Sequence, residues 1–217
     1  MQIFEYTPPA IPWLDLRYVD QDIIVINKPS GLLSNPGRAA HTHDCALTRL
    51  QHLYPEAILL HRLDCDTSGL MVFARDKACE SHIKTQFQDR KTRKIYVAEV
   101  MGHLSEPAGQ INLSMTADKA NPPWQVIAAD GKVAITDWQV LAERSQTSLV
   151  QLTPHTGRTH QLRLHMQAIG HTILGDNFYG DTQCRQASPR LRLHAWQLGF
   201  THPKTNEWLM FTSPQPF

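Results

Sequence analysis

The hydrophobic residues of this chain fall in short runs whose spacing predicts strands alternating with short helices. Residues 23–26 form an unbroken β-branched run that ends at Asn27-Lys28-Pro29-Ser30-Gly31, which is the pattern of a strand entering a turn. Similar runs predict the remaining strands, at residues 69–75, 95–100, 134–140, 148–153, 191–200 and 207–211.

Three helices are predicted between these strands. The first runs from its capping residue Asp44 to Leu53, and the second follows Asp76, which can also act as a cap. The third spans residues 158–169 and ends at Gly170. Apolar residues at helical spacing give the last two helices one buried face each: Cys79, Ile83 and Phe87 in one, and Leu162, Met166 and Ile169 in the other. This pattern predicts an α+β fold on a long, mixed, mostly antiparallel sheet with flanking helices.

Length and composition are those of an ordinary globular chain. With 217 residues, 41% hydrophobic and 19% charged, it can bury a sizeable core, and a single domain over residues 1–217 is expected. Residues 1–14 are rich in proline and are expected to form an extended arm. No apolar run approaches bilayer length and no export signal is evident, so a cytoplasmic protein is expected. The four cysteines include no C-x-x-C pair, which favours reduced structural thiols.

Neither the net charge nor the histidine content identifies a ligand. The formal charge is only +1, and the basic clusters near residues 84–94 and 185–192 are more often solvated surface than RNA contacts. Twelve histidines suggest metal binding, but the pairs His41 with His43 and His160 with His165 lack the Cys or carboxylate partners of a metal site. No metal site is therefore predicted.

Residues 61–70 carry the most chemical information in the sequence. An aspartate before a strand is usually a turn residue, and that interpretation suits Asp66. Asp64 differs because Arg62 lies two residues away, and a basic neighbour keeps a carboxylate ionised, as a nucleophile requires.

These residues also carry a resemblance to a known family. Residues 61–69 match the H-R-L-D-x-x-T-S-G motif of the RluA family of pseudouridine synthases. Residues 25–32 resemble its N-K-P-x-G segment, and residues 156–165 resemble its T-G-R-x-H-Q-[IL]-R-x-H segment. The resemblance covers essentially the whole chain. It implies the pseudouridine synthase catalytic fold with a central cleft, no metal or organic cofactor, and structured RNA as the partner.

The resemblance implies that Asp64 is the nucleophile, which attacks the target uridine while the base detaches, rotates and rejoins through C5. An ionised carboxylate in a mostly dry pocket needs a permanent cation, because an uncompensated buried charge costs several kcal/mol. By resemblance that cation is Arg163, which lies about 100° round the predicted helix from its apolar stripe. Without the motif, an exposed helix arginine would be the better interpretation.

Two further residues resemble parts of the family's base-binding site. Tyr96 resembles the active-site tyrosine that stacks on the target base and is a candidate for removing the C5 proton, and Leu193 resembles the apolar wall against that ring. Core packing would explain both residues equally well.

The remaining candidate residues are expected to bind the RNA. Arg62 resembles the arginine that fills the gap left by the extruded nucleotide, although a charge partner for a neighbouring aspartate is an equally good interpretation. His61 and Thr67 belong to the same motif and are expected to lie beside the substrate. Lys28, at the end of a strand, is expected to shape or charge the rim of the cleft.

The short chain leaves no room for an N-terminal S4 domain. In this it resembles the family members that modify a uridine of 23S ribosomal RNA and one in the anticodon stem-loop of certain transfer RNAs. Hairpin loops are therefore the expected substrates, and a monomer is the expected state.

Residues 118–131 depart from the family, which carries several basic residues where this chain reads Asn121-Pro122-Pro123-Trp124. Fewer cations weaken phosphate contacts, and Trp124 can replace charge with stacking.

Other functions fit parts of the pattern. A non-catalytic RNA-binding protein of the same fold would need none of Asp64, Tyr96 and Arg163, so their joint presence argues against it. A nucleoside hydrolase or glycosidase also breaks a glycosidic bond, but such enzymes usually pair two carboxylates, and Asp66 is better explained as a turn residue. A synthase of the same family with a different RNA target is a further alternative.

Overall fold

A computed structural model describes residues 5–217 of the chain. These residues form the β-strands β1 (Leu16–Val19), β2 (Ile23–Lys28), β3 (Ile58–Leu59), β4 (Ser68–Ala74), β5 (Arg93–Met101), β6 (Ala108–Ala117), β7 (Gln125–Ile127), β8 (Lys132–Glu143), β9 (Thr147–Pro154), β10 (Leu193–Thr201) and β11 (Trp208–Thr212). They also form the α-helices α1 (Ala46–Leu53), α2 (Lys77–Gln88), α3 (Gln161–Ala168) and α4 (Thr182–Gln186), and a 3-10 helix at Ala40–Thr42. Within this described part, no helix is long and apolar enough to cross a membrane.

The chain divides into two compact units. The first contains the chain up to Arg93 together with Ala195–Pro214, and the second contains Lys94–His194 with Gln215–Phe217. The expectation of one domain over residues 1–217 stays a prediction.

The first unit is built on strands in the order β1-β2-β4-β10, with β3 beside β4 and β11 beside β10. β2 pairs antiparallel with β4, from Ile23 opposite Ala74 to Lys28 opposite Gly69. Ile83 of α2 packs in the same apolar core as these two strands. The pairing places the turn that follows β2 next to the turn that precedes β4.

The second unit contains strands in the order β5-β9-β8-β6-β7, each antiparallel to its neighbour. Leu162 and Met166 of α3 enter its core beside Val150 and Leu152. α3 packs against β7 and β8. The packing therefore fixes the helix that carries Arg163 to one face of this sheet.

The α+β, mostly antiparallel fold is confirmed, as are the predicted strands and the second and third helices, apart from small shifts at their ends. Asp76 caps α2 as predicted, because its carboxylate accepts a hydrogen bond from Cys79 N at 2.7 Å. β6 is absent from the predicted strands, although Ile111 and Met115 point into the core from alternate positions, as in a half-buried strand.

The predicted cap of the first helix is wrong. Cys45 is the cap, since its Sγ accepts from Thr48 N at 3.5 Å and its own amide donates to Thr48 Oγ1 at 3.0 Å. Asp44 instead forms a two-point ion pair with the buried Arg49, with distances of 2.6 and 2.7 Å. A carboxylate beside a buried guanidinium gains more from that pair than from capping a helix.

The N-terminal arm, predicted over residues 1–14, is described from residue 5 onward, and residues 1–4 lie outside the described part. Its described residues form neither helix nor strand before β1. Arg49 donates to the carbonyls of Pro9 and Trp13, at 2.8 Å each. The Tyr6 hydroxyl donates to Asp44 O at 2.7 Å. These contacts fasten the arm to the segment around α1.

Candidate active site

Asp64 lies in the turn between β3 and β4 of the first unit, and its side chain is neither fully buried nor fully exposed. The turn is closed by a hydrogen bond from Thr67 N to Asp64 O at 3.2 Å. Gly69 ends the turn with φ +117°, and a Cβ there would lie 2.4 Å from the carbonyl oxygen of Ala195. Only glycine adopts this backbone at such a close approach. The motif therefore shapes a turn that presents Asp64.

The turn that follows β2 holds the backbone just beyond Asp64. Lys28 Nζ donates to Cys65 O at 2.9 Å, and Gly31 N donates to the same oxygen at 3.0 Å. Ser30 Oγ donates to Asp66 O at 2.7 Å. Three donors from one turn thus fix the two residues that follow the proposed nucleophile.

Ser34 holds the backbone on the other side of Asp64. Its hydroxyl donates to Leu63 O at 2.7 Å and accepts from Leu63 N at 3.0 Å. Both partners are buried, Ser34 at 2% and Leu63 at 5% exposure. The segment 28–34 therefore braces the Asp64 turn on both sides, and Asp64 sits on a rigid scaffold.

Lys28 does not lie at an exposed rim, in contrast to the expectation from the sequence. Its side chain is fully buried, at 0% exposure. The ammonium donates to three backbone carbonyls, Pro29 O at 3.0 Å, Leu32 O at 2.5 Å and Cys65 O at 2.9 Å. An ammonium has three hydrogens, and carbonyl oxygens satisfy them here. Lys28 therefore joins the two turns and positions the loop that carries Asp64.

The three remaining motif residues of the first unit have different surroundings. Arg62 is exposed and forms no ion pair with a carboxylate of residues 5–217. The His61 ring lies against Phe87 with centroids 4.9 Å apart, and its Nε2 accepts from Val72 N at 3.1 Å. Thr67 is buried, at 2% exposure. Arg62 is thus available to solvent, whereas the contacts of His61 and Thr67 shape the turn.

In the second unit, Arg163 of α3 is deeply buried and paired with Asp176. Arg163 Nε donates to Asp176 Oδ2 at 2.8 Å, and Nη2 donates to Oδ1 at 2.7 Å. The two side chains are 1% and 0% exposed. The alternative of an exposed helix arginine is therefore wrong. The guanidinium is held by one edge, in the two-point geometry that fixes its plane.

Asp176 is stabilised as a carboxylate by several groups together. Burial would raise the pKa of Asp176, but the hydrogen bonds and charge of Arg163 and the amides of Tyr179 and Phe178 outweigh burial and lower that pKa. Phe178 N and Tyr179 N donate to Oδ1 at 2.9 and 3.0 Å. Asp176 is consequently ionised at neutral pH and keeps Arg163 in one orientation.

Aromatic rings complete the surroundings of Arg163. Its guanidinium carbon lies 4.8 Å from the centroid of the Phe178 ring and 5.6 Å from that of Tyr179. The Tyr179 hydroxyl accepts from Gln125 N at 3.1 Å and contacts His160 Nδ1 at 2.9 Å. A guanidinium over aromatic faces is stabilised by the ring quadrupole. The rings also connect the helix to the start of β7.

Tyr96 and Leu193 both belong to the second unit. Leu193 is a buried core residue at 3% exposure, and the half-buried Tyr96 of β5 packs against the same cluster. The two side chains thus share one apolar environment. The roles of Tyr96 and Leu193 at a base stay predictions.

Among residues 5–217, two groups of side chains lie close enough together to be considered for metal binding: Asp20 with Asp22 and His202, and Asp22 with Asp76 and Cys79. His202 Nδ1 accepts from Lys204 N at 3.3 Å and Thr205 N at 3.1 Å, so its proton lies on Nε2, which donates to Asp20 Oδ2 at 3.0 Å. Asp76 is occupied as the cap of α2. Protein hydrogen bonds therefore account for both groups.

The sequence did not identify three residues that position the site. Asp176 is the partner of Arg163, and Ser30 and Ser34 brace the Asp64 turn. The sequence predicted that Ser30 lies in a turn after a strand. Nothing in the spacing predicted that this turn contacts the one that carries Asp64. Asp176 follows Leu174-Gly175, and a carboxylate after a buried glycine turn is the signal that could have singled it out.

The chain is similar to known proteins over its full length. Residues 22–168 match a family model described as RNA pseudouridylate synthase. The chain is 49% identical to the dual-specificity RNA pseudouridine synthase RluA of Pasteurella multocida, over 100% of both chains. It is 46% identical to the protein of the same name from Escherichia coli strain K12, again over 100% of both.

Solved structures show the same fold. Human RNA Pseudouridylate Synthase Domain Containing 1 superposes with a TM-score of 0.81 at 29% identity, covering 97% of this chain and 87% of the other. Human RNA Pseudouridylate Synthase Domain Containing 4 gives a TM-score of 0.76 at 28% identity, covering 93% and 88%.

Proposed function

The chain belongs to the RNA pseudouridylate synthase family, and from that premise we propose that it converts uridine to pseudouridine through the carboxylate of Asp64. The observation that carries this proposal is the braced turn: segment 28–34 holds the backbone on both sides of Asp64, whose side chain is partly exposed. A nucleophile on a rigid scaffold needs little further ordering when the substrate arrives.

The reaction is an isomerisation, and its atoms balance within the nucleotide. The C1′–N1 bond breaks, a C1′–C5 bond forms, C5 loses a proton and N1 gains one. Asp64 attacks the nucleotide and is released when the product forms, so the carboxylate is regenerated. Tyr96 is the candidate for taking the C5 proton, since a positioned phenol can act as a general base or acid.

Arg163 enters the proposed reaction as a fixed cation. Asp176 engages Nε and Nη2 and so fixes the plane of the guanidinium. The guanidinium is proposed to stabilise the negative charge that the reaction involves. A preorganised charge of this kind needs no reorientation during the reaction.

Arg62 is proposed to act on the RNA rather than on a neighbouring aspartate. A uridine in a folded loop must leave its stack before a protein carboxylate can reach it, at a cost of a few kcal/mol. An exposed guanidinium can stack in the vacated space and bind phosphate at the same time. The exposure of Arg62 and the lack of an ion pair to a carboxylate within residues 5–217 favour this role.

The proposed substrates are hairpin loops of 23S ribosomal RNA and the anticodon stem-loop of transfer RNA. Relatives that match the chain over its full length at 46–49% identity are named dual-specificity synthases. We propose that the protein acts on these RNAs in the cytoplasm, as a monomer.

The proposal is tested with purified protein and two synthetic RNAs, an anticodon stem-loop and a 23S hairpin, each labelled with tritium at uridine C5. Tritium release followed by mass-spectrometric mapping should show pseudouridine at one loop position of each RNA. Product in only one RNA would narrow the target. A folded protein that forms no product in either RNA, or in total ribosomal and transfer RNA, would overturn the proposal.

A further inference from the structure

Trp124 is an exposed aromatic residue held in a fixed backbone loop of the second unit. Its carbonyl accepts from Asp118 N at 2.9 Å, and its amide donates to Asn121 O at 2.9 Å. The side chain is 37% exposed. Because two hydrogen bonds close the loop at the residue itself, the ring is presented to solvent from a defined position.

Two other rings support the Trp124 ring. Its centroid lies 5.6 Å from that of Phe178 and 5.6 Å from that of Tyr179, both in edge-on geometry. These same two rings lie beside the guanidinium of Arg163. The rings of Phe178 and Tyr179 therefore lie beside both Trp124 and the proposed fixed cation of the reaction.

Three exposed cations belong to the same unit as Trp124. Lys119 is five residues before Trp124 in the same loop, and Lys132 pairs in register with Met115, which also pairs with Ile127 of β7. Arg158 Nε donates to the carbonyl of Val133, next to Lys132, at 3.2 Å. Each of the three cationic side chains, Lys119, Lys132 and Arg158, is exposed. Proteins bind single-stranded nucleic acid by combining aromatic rings with cations, since bases stack on the rings and phosphates pair with the cations.

We propose that Trp124 is a stacking platform for an unpaired base next to the target uridine, with Lys119, Lys132 and Arg158 as phosphate contacts. The inference rests on the proposed function and identifies where the loop of the hairpin is held. Stacking depends little on base identity, and the salt dependence of binding comes from the phosphate contacts. Trp124 would therefore supply affinity that persists when salt screens the cations.

The test measures the affinity of Trp124→Leu and Trp124→Phe for the anticodon stem-loop, by fluorescence anisotropy at several salt concentrations. Leucine keeps apolar contact with the two supporting rings but cannot stack on a base, whereas phenylalanine can do both. Trp124→Leu should bind roughly 5- to 150-fold more weakly, the range for one stacked base, with an unchanged salt dependence. Trp124→Phe should retain most of the affinity.

Trp208→Leu is the matched control, because Trp208 is 50% exposed on β11 of the first unit. It should bind as the wild type does. The inference would be overturned if Trp124→Leu bound the RNA as tightly as the wild type, or if Trp208→Leu lost as much affinity as Trp124→Leu. The exposed surface at Trp124 would then be better explained as a contact for a protein partner. Because affinity is measured without turnover, a wild type that binds RNA but forms no pseudouridine would refute only the proposed function.

Discussion

The buried pair of Arg163 and Asp176 offers a direct test of the site's energetics through Asp176→Asn. Asparagine keeps the shape of the side chain but replaces one acceptor oxygen by an NH2 group. The carboxylate it replaces accepts from two guanidinium nitrogens, at 2.7 and 2.8 Å, and from the amides of Phe178 and Tyr179. The variant removes the negative charge of Asp176 from beside Arg163, which is 1% exposed.

The expected loss of stability is large. Removing one partner of a buried ion pair costs about 3–5 kcal/mol, because the remaining charge is left desolvated. A domain is usually stable by only about 5–15 kcal/mol, so the variant should lose a major share of its free energy of unfolding. Asp137→Asn is the matched control: the Asp137–His155 pair is 44% and 43% exposed, and such pairs contribute about 0–1 kcal/mol.

Urea unfolding followed by far-UV circular dichroism measures both variants. Because the pKa of Asp176 is lowered in the folded protein, its stabilising contribution is present above the unfolded value of about 3.9 and is lost as pH falls through the lower folded value. The difference in free energy of unfolding between the wild type and Asp176→Asn should therefore be constant from about pH 5 to pH 8 and decrease in stronger acid. A loss no larger than that of Asp137→Asn at neutral pH would refute the reasoning.

Two further predictions concern residues beside Asp64. Lys28→Met removes the donor to three backbone carbonyls, so the free energy of unfolding measured in urea should fall by about 2–4 kcal/mol. The control Lys84→Met, at an exposed lysine, should lower it by less than about 1 kcal/mol. Equal losses in the two variants would contradict the role of Lys28 in bracing the Asp64 turn. Arg62→Ala should lose more tritium-release activity on a folded hairpin than on an unstructured oligonucleotide, because only the hairpin has a stack to fill. Equal losses on both RNAs would count against gap filling.

The sequence singled out Asp64 more readily than the residues that support it. Asp64 stood out through a contiguous motif, and α2 and α3 stood out through apolar spacing, because both signals are local. The pairing of Arg163 with Asp176 joins residues 13 positions apart through a turn, and helical periodicity places Arg163 at the edge of the apolar stripe without giving its depth.

Lys28 shows why the remaining details were out of reach. Lysine is rarely buried, so a lysine at a strand end is expected at a rim. Only the pairing of β2 with β4 brings the carbonyl of Cys65 to its ammonium. Burial of such a charge depends on contacts between distant segments, which composition and spacing do not encode.

The central claim concerns the carboxylate at position 64, and a single-turnover assay on the anticodon stem-loop tests it most directly. Asp64→Asn and Asp64→Ala should fold and bind the RNA as tightly as the wild type yet form no pseudouridine, whereas Asp66→Asn, in the same turn, should remain active. The alanine variant guards against slow deamidation of asparagine. Pseudouridine formed by folded Asp64→Ala at a rate near that of the wild type would contradict the account.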